Sequence, residues 1–164
     1  MFISKWFEKF FTLYANTQGL CSSFKSEVML ALHALGTTVT RGATTADTIK
    51  AALYLATATV SAATTAYSAT NEVSGSGYSA GGATVTNATA PSTSGTTGIW
   101  TPSASISWTT VTLATAFDCV LLYNSSQSNR AISVHTFGSQ TVTAGNFSLT
   151  MPTHDASNAL VRIA

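Results

Sequence analysis

"NEVSGSGYSAGGATVTN", residues 71–87, decides how the rest of the chain is read. Gly75, Gly77, Gly81 and Gly82 fall within a short run, with Tyr78 between them and a valine/threonine alternation directly after. A run of this kind either cradles a phosphate or turns a β-chain. The spacing, G-x-G-x-x-x-G-G, is one residue too long for the dinucleotide fingerprint, and no Lys-Ser/Thr follows for a P-loop. The "ATVTN" that follows alternates as a strand, so no helix N-terminus stands behind the glycines to bind an anion. The glycines therefore serve the backbone, permitting positive φ and close approach at a turn, with Tyr78 packed over it.

Working outward, the apolar period is two over most of the chain. "TIKAALYLA" (48–56) puts Ile49, Ala51, Leu53 and Leu55 on one face, with Lys50 and Tyr54 opposite. Residues 81–87, 103–108, 117–124, 131–137, 146–151 and 159–164 read as further strands. Turn chemistry separates them: Pro91 among Ser, Thr and Gly, Asn124-Ser-Ser, Gly138-Ser, Ala144-Gly145-Asn146 and Met151-Pro152. Seven or more short strands predict a mainly β fold, an antiparallel β-sandwich of jelly-roll type, over residues 37–164.

Two helical segments precede it. In residues 1–14, Ile3, Trp6, Phe7, Phe10, Leu13 and Tyr14 recur at three- and four-residue steps, with Lys5, Glu8 and Lys9 opposite. This amphipathic helix is too short and too charged to span a bilayer, and its charges interrupt any signal-peptide core. It can lie on a membrane surface or dock on a neighbouring subunit, and for the preferred docking its aromatic residues Trp6, Phe7, Phe10, Phe11 and Tyr14 form the candidate face. Within residues 15–36, a second helix over about 23–35 has Ser23 as N-cap, Phe24, Val28, Leu32 and Leu35 on one face, and Gly36 beyond its end.

Composition narrows the function. Charged residues make up 8% of the 164-residue chain, against roughly 25% in ordinary soluble proteins. Between Glu72 and Arg130 the only charge is Asp118. So neutral a surface lacks the repulsion that keeps proteins apart, which points to life among other subunits. A net charge of +1 leaves no basic stripe for nucleic acid. Cys21 and Cys119 form neither a CxxC pair nor a zinc spacing, and Cys119 reads as a small buried residue. His33, His135 and His154 have no metal-clamp spacing, and no G-x-S-x-G elbow is present. Asp118 and His135 could meet in a sheet, as many pairs could. No catalytic, cofactor or metal site is expected.

"ANTQGLCSSFKSEVMLALHAL" (15–35) and residues 48–87 resemble a family of small tailed-bacteriophage virion proteins. The likeness rests on Phe24, Lys25 and His33, then Lys50, Leu53 and Tyr54, then Glu72 through Gly82, and Trp100 or Trp108. Residues 1–14 lie outside it, and after Asn124 mainly the strand rhythm matches. The resemblance implies a structural role without catalysis, as a capsid decoration (cement) protein on the capsid exterior. Its implied partners are the major capsid protein and further copies of itself, as dimer or trimer, with no nucleic acid and no membrane. A tail or head-fibre component, or a carbohydrate-binding module stacking sugars on exposed Trp and Tyr, is the alternative.

Overall fold

A computed structural model describes residues 26, 28–31, 46–86 and 89–164. The fold is mainly β, and every strand pairing is antiparallel. A four-stranded sheet has the order β2-β1-β5-β6, formed by β1 (Ile49–Leu55), β2 (Ala83–Thr84), β5 (Ile106–Asn124) and β6 (Arg130–Leu149). A three-stranded sheet, β3-β4-β7, holds β3 (Ser92–Ser94), β4 (Thr97–Trp100) and β7 (Val161–Ile163). Among the described residues neither arrangement is the four-plus-four of a jelly roll.

β1 lies inside the larger sheet and is covered on both faces. Ile49, Ala51 and Leu53 enter one apolar cluster, while Ala52 and Tyr54 enter a second with Cys119, Leu121 and Tyr123. The alternation expected from the sequence is present, but the face with Tyr54 is buried too. The loop after β1 supplies its cover through Ala58, Val60 and Tyr67. The first cluster also takes Trp100 from β4, with Val161 of β7 packed against it, so both sheets share one core.

The strands expected at 103–108 and 117–124 are one element, β5, and those at 131–137 and 146–151 are one element, β6. Gly138-Ser and Ala144-Gly145-Asn146, which read as turns, lie within β6. Irregularities absorb them: the β5–β6 register shifts between Trp108 and Val111, Val111 and Leu113, Leu113 and Phe117, and Phe117 and Cys119, the last spanning Gly138-Ser. Thr110 and Ala144 take positive φ there, at 54° and 44°. Side chains replace lost ladder bonds, as Thr110 N–H donates to Asn146 Oδ1 at 2.9 Å and Ala144 N–H to Thr112 Oγ1 at 3.1 Å.

These bulges bend the hairpin on itself. Phe137 and Phe147 are ten residues apart, about 33 Å along a straight strand, yet their rings lie 5.4 Å apart. Both meet Phe117 edge-on, at 6.0 and 5.0 Å. The curl thereby brings Trp108, Val111 and Leu113 into the same core as Leu53.

The run around Pro91, read as turn, contains the β3–β4 hairpin. Gly95, at φ 59°, occupies the first of two loop positions, as a II′ turn requires. The predicted helix over 1–14, with Trp6, Phe7, Phe10, Phe11 and Tyr14, lies outside the described residues. Of the second helix, Ser26, Val28 and Met29 are helical, and Leu30 N–H donates to Ser26 O at 3.0 Å. Val28, expected on the buried face, is 43% exposed, and Met29 packs on the core instead.

Phe117 is fully buried where the curled hairpin closes. Phe117→Ala should cost about 3–5 kcal/mol in denaturant unfolding; a loss below about 1 kcal/mol would show that the closure is not a packed core.

Candidate functional site

The glycine stretch and the segment before it run along the edge of β1 that faces away from β5. Leu55 N–H donates to Asn71 O at 3.0 Å and Val73 N–H to Leu53 O at 2.9 Å, with a bridge between Tyr54 and Glu72. Further on, β2 pairs with the start of β1. Asn71, at φ 59°, turns the chain so that Glu72 points inward.

Glu72 is the centre of the best-built polar cluster, and only 9% of it is exposed. Its Oε1 accepts from Tyr78 Oη at 2.8 Å and from Gly81 N–H at 2.8 Å. Its Oε2 accepts from Tyr67 Oη at 2.7 Å. Tyr78 Oη in turn accepts from Leu53 N–H at 3.0 Å, and Tyr123 Oη donates to Gly81 O at 2.8 Å. Tyr54 Oη donates to Ser68 O at 2.5 Å, and the Tyr67 and Tyr123 rings stack at 4.7 Å. The carboxylate thus gathers Tyr67, Tyr78 and Gly81, while Tyr78 joins the loop to β1 and Tyr123 joins it to β5.

The tyrosines are held neutral. Burial raises the pKa of Tyr78, and its hydrogen bond to Glu72 raises it further against the opposing Leu53 amide. Burial, then the same carboxylate, also raises Tyr67. Tyr54 and Tyr123 are raised chiefly by burial. Donors of this kind suit a permanent clamp on a carboxylate rather than proton transfer near neutrality.

The glycines explain themselves by space. A Cβ on Gly75 would stand 2.0 Å from Thr112 O, on Gly77 2.5 Å from Thr110 O, and on Gly82 1.8 Å from Ala51 O. Gly77, Gly81 and Gly82 also have φ of 78°, 88° and 70°. Thr112 N–H donates to Ser76 O at 2.9 Å, so the loop is laced onto the β5 irregularity as well as onto β1. The loop therefore presses on backbone at both ends. Tyr78 does more than cover a turn, because its hydroxyl joins Glu72 to β1.

Other candidates are smaller. His135 bonds Ser133 Oγ at 2.9 Å, and burial lowers its pKa; across the sheet it faces Val120. His154 Nε2 lies 3.0 Å from Ser92 Oγ. Cys119 carries a buried free thiol, raised first by burial and then by Asp118. Among the described residues no group of His, Cys, Asp and Glu could hold a metal ion. Among the described residues the Trp and Tyr rings that sugar stacking would need are inside: Trp100, Trp108, Tyr54 and Tyr123 are buried, and Tyr67 and Tyr78 point their hydroxyls at Glu72.

Sequence reasoning placed Glu72 at the head of the family-like stretch and missed its role. The available signal was a lone carboxylate entering an almost charge-free stretch, in a chain whose five tyrosines include positions 54, 67, 78 and 123. No family model matches the chain, and no curated protein or solved structure matches it either.

Glu72→Ala would leave three donors without their acceptor and should cost about 3 kcal/mol or more in urea unfolding. Gly82→Ala should be comparably damaging, whereas Gly138→Ala, with open space around it, should stay within about 1 kcal/mol of the parent. The raised tyrosine pKa values set a pH window. Below the ordinary value of about 10 the stabilisation is complete, and it is lost as pH rises above that, since only the unfolded chain ionises there. Absorbance at 295 nm should show Tyr54, Tyr67, Tyr78 and Tyr123 ionising together with unfolding; independent titration near pH 10 would contradict the clamp.

Proposed function

We propose that the chain is a non-enzymatic structural protein of a bacteriophage virion, a capsid decoration protein that binds the outer capsid surface and stabilises contacts between capsid subunits. The reading begins from the resemblance at residues 15–35 and 48–87, densest at Glu72 through Gly82. Its physical support is a long β-edge without charge: β6 has no buried residue, and from Ala131 to His154 there is no Asp, Glu, Lys or Arg. Neutral hydroxyl-bearing surface is buried against another protein with little desolvation cost.

In this reading the two sheets pack face to face as a sandwich, a geometry favoured by the core they share through Trp100, Val161 and the β1–β5 residues. Glu72 spends its hydrogen-bonding capacity on the protein's own chain, which suits a scaffold. The sandwich carries association surfaces, and residues 1–14 add an aromatic docking segment toward a neighbouring subunit or the capsid protein.

Locating the chain in a cryo-EM map of the purified particle tests the assignment. Copies spread over the icosahedral lattice are expected; copies confined to the portal vertex would make it a tail component, and absence from the particle would overturn the virion reading. Trp6→Ala combined with Phe10→Ala should lower occupancy on undecorated capsids, and unchanged occupancy would remove the docking role of residues 1–14.

A further inference from the structure

β6 ends the four-stranded sheet, so one side of this 20-residue strand carries backbone groups that β5 does not take. At its start that side is already used. Residues 65–67 lie antiparallel on it: Tyr67 N–H donates to Asn129 O at 2.9 Å, Ala131 N–H donates to Thr65 O at 3.0 Å, and Ala66 bridges Arg130. The edge is thus oriented to accept an antiparallel strand. From Ile132 onward no described residue continues that pairing.

Edges left open in natural proteins are commonly guarded by charge, proline or shortness. None of these guards residues 132–137. The next charged residue after Arg130 is Asp155, and the next proline is Pro152. The register with β5 runs unbroken from Ser133 to Thr136, and Ile132 is 40% exposed beside it.

We propose that Ile132–Phe137 is the pairing edge of a homodimer, in which the same residues of a second copy add antiparallel across a two-fold axis. Two four-stranded sheets then become one of eight. A two-fold contact requires the strand to complement itself. An axis at Val134 sets that residue against its own counterpart, Ser133 against His135 of the second copy and Ile132 against its Thr136. Arg130 then meets the uncharged stretch near Gly138 rather than its own counterpart. An edge without charge offers a charged partner nothing to complement, while a copy of itself meets no like charge. The register shift between Thr136 and Gln140 ends the regular edge and limits the contact to this segment, which blocks open-ended stacking. The inference stands on the edge alone and holds whether or not the chain is a virion protein.

Sedimentation equilibrium of the full chain tests it without any capsid. The expected mass is twice the 17.0 kDa of one chain, and Ile132→Lys with Thr136→Lys, both at exposed positions, should return it to a single chain. A single-chain mass for the parent overturns the proposal, as does an oligomer that the lysines leave intact. Hydrogen exchange on the parent protein decides independently of how the variant folds. Protection of amides 132–137 that rises with protein concentration supports the dimer; protection independent of concentration means the chain covers its own edge and overturns it.

Discussion

A single carboxylate fixes the relation between the glycine loop and the sheet. Glu72 is buried beside β1 and takes hydrogen bonds from Tyr67, Tyr78 and the Gly81 amide. A buried carboxylate without donors would cost several kcal/mol, so the three donors must be where they are for the fold to tolerate it. That demand propagates. Tyr78 can reach Glu72 only if the chain turns at Gly77, and the Gly81 amide only if Gly82 lies flat on the β1 backbone. Tyr123 of β5 then closes the loop through Gly81 O. Loop, β1 and β5 are one unit because their polar atoms have no other partners that burial would allow.

The long hairpin answers to a second constraint, that its apolar residues must reach one core. Straight strands of this length would carry Trp108 and Phe147 far from Leu53. Irregularities at Trp108–Phe117 bend the ladder until Phe117, Phe137 and Phe147 meet. The glycine loop helps hold that bend, since Ser76 and Gly75 lie against Thr112 at the same place. The two constraints therefore converge on one region of β5.

Much of this was legible in the sequence, and the failures have physical reasons. The period-two pattern of residues 48–56 gave β1 to within a residue at each end, because its Ile, Leu and Ala alternation is strict. Rejecting a phosphate loop at Gly75–Gly82 followed from spacing and from the strand residues behind it. The break-up of β5 and β6 went wrong because Gly138 and Ala144-Gly145-Asn146 are turn formers that a bulged strand also uses. The β3–β4 hairpin was hidden by its Ser/Thr composition, which reads as loop. Glu72 was missed because its donors come from positions 67, 78 and 81 and its second ring of contacts from 54 and 123. No local motif records such a convergence.

A protein organised in this way has its strongest polar chemistry turned inward and its plainest surface turned outward, which suits a part that is held among other subunits. The claim that Glu72 makes the glycine loop part of the core is open to one direct measurement, native-state hydrogen exchange at the Gly81 amide. A loop tied to Glu72 predicts that this amide exchanges only with global unfolding, as slowly as Leu53 in β1. Exchange at the rate of an exposed turn would contradict it.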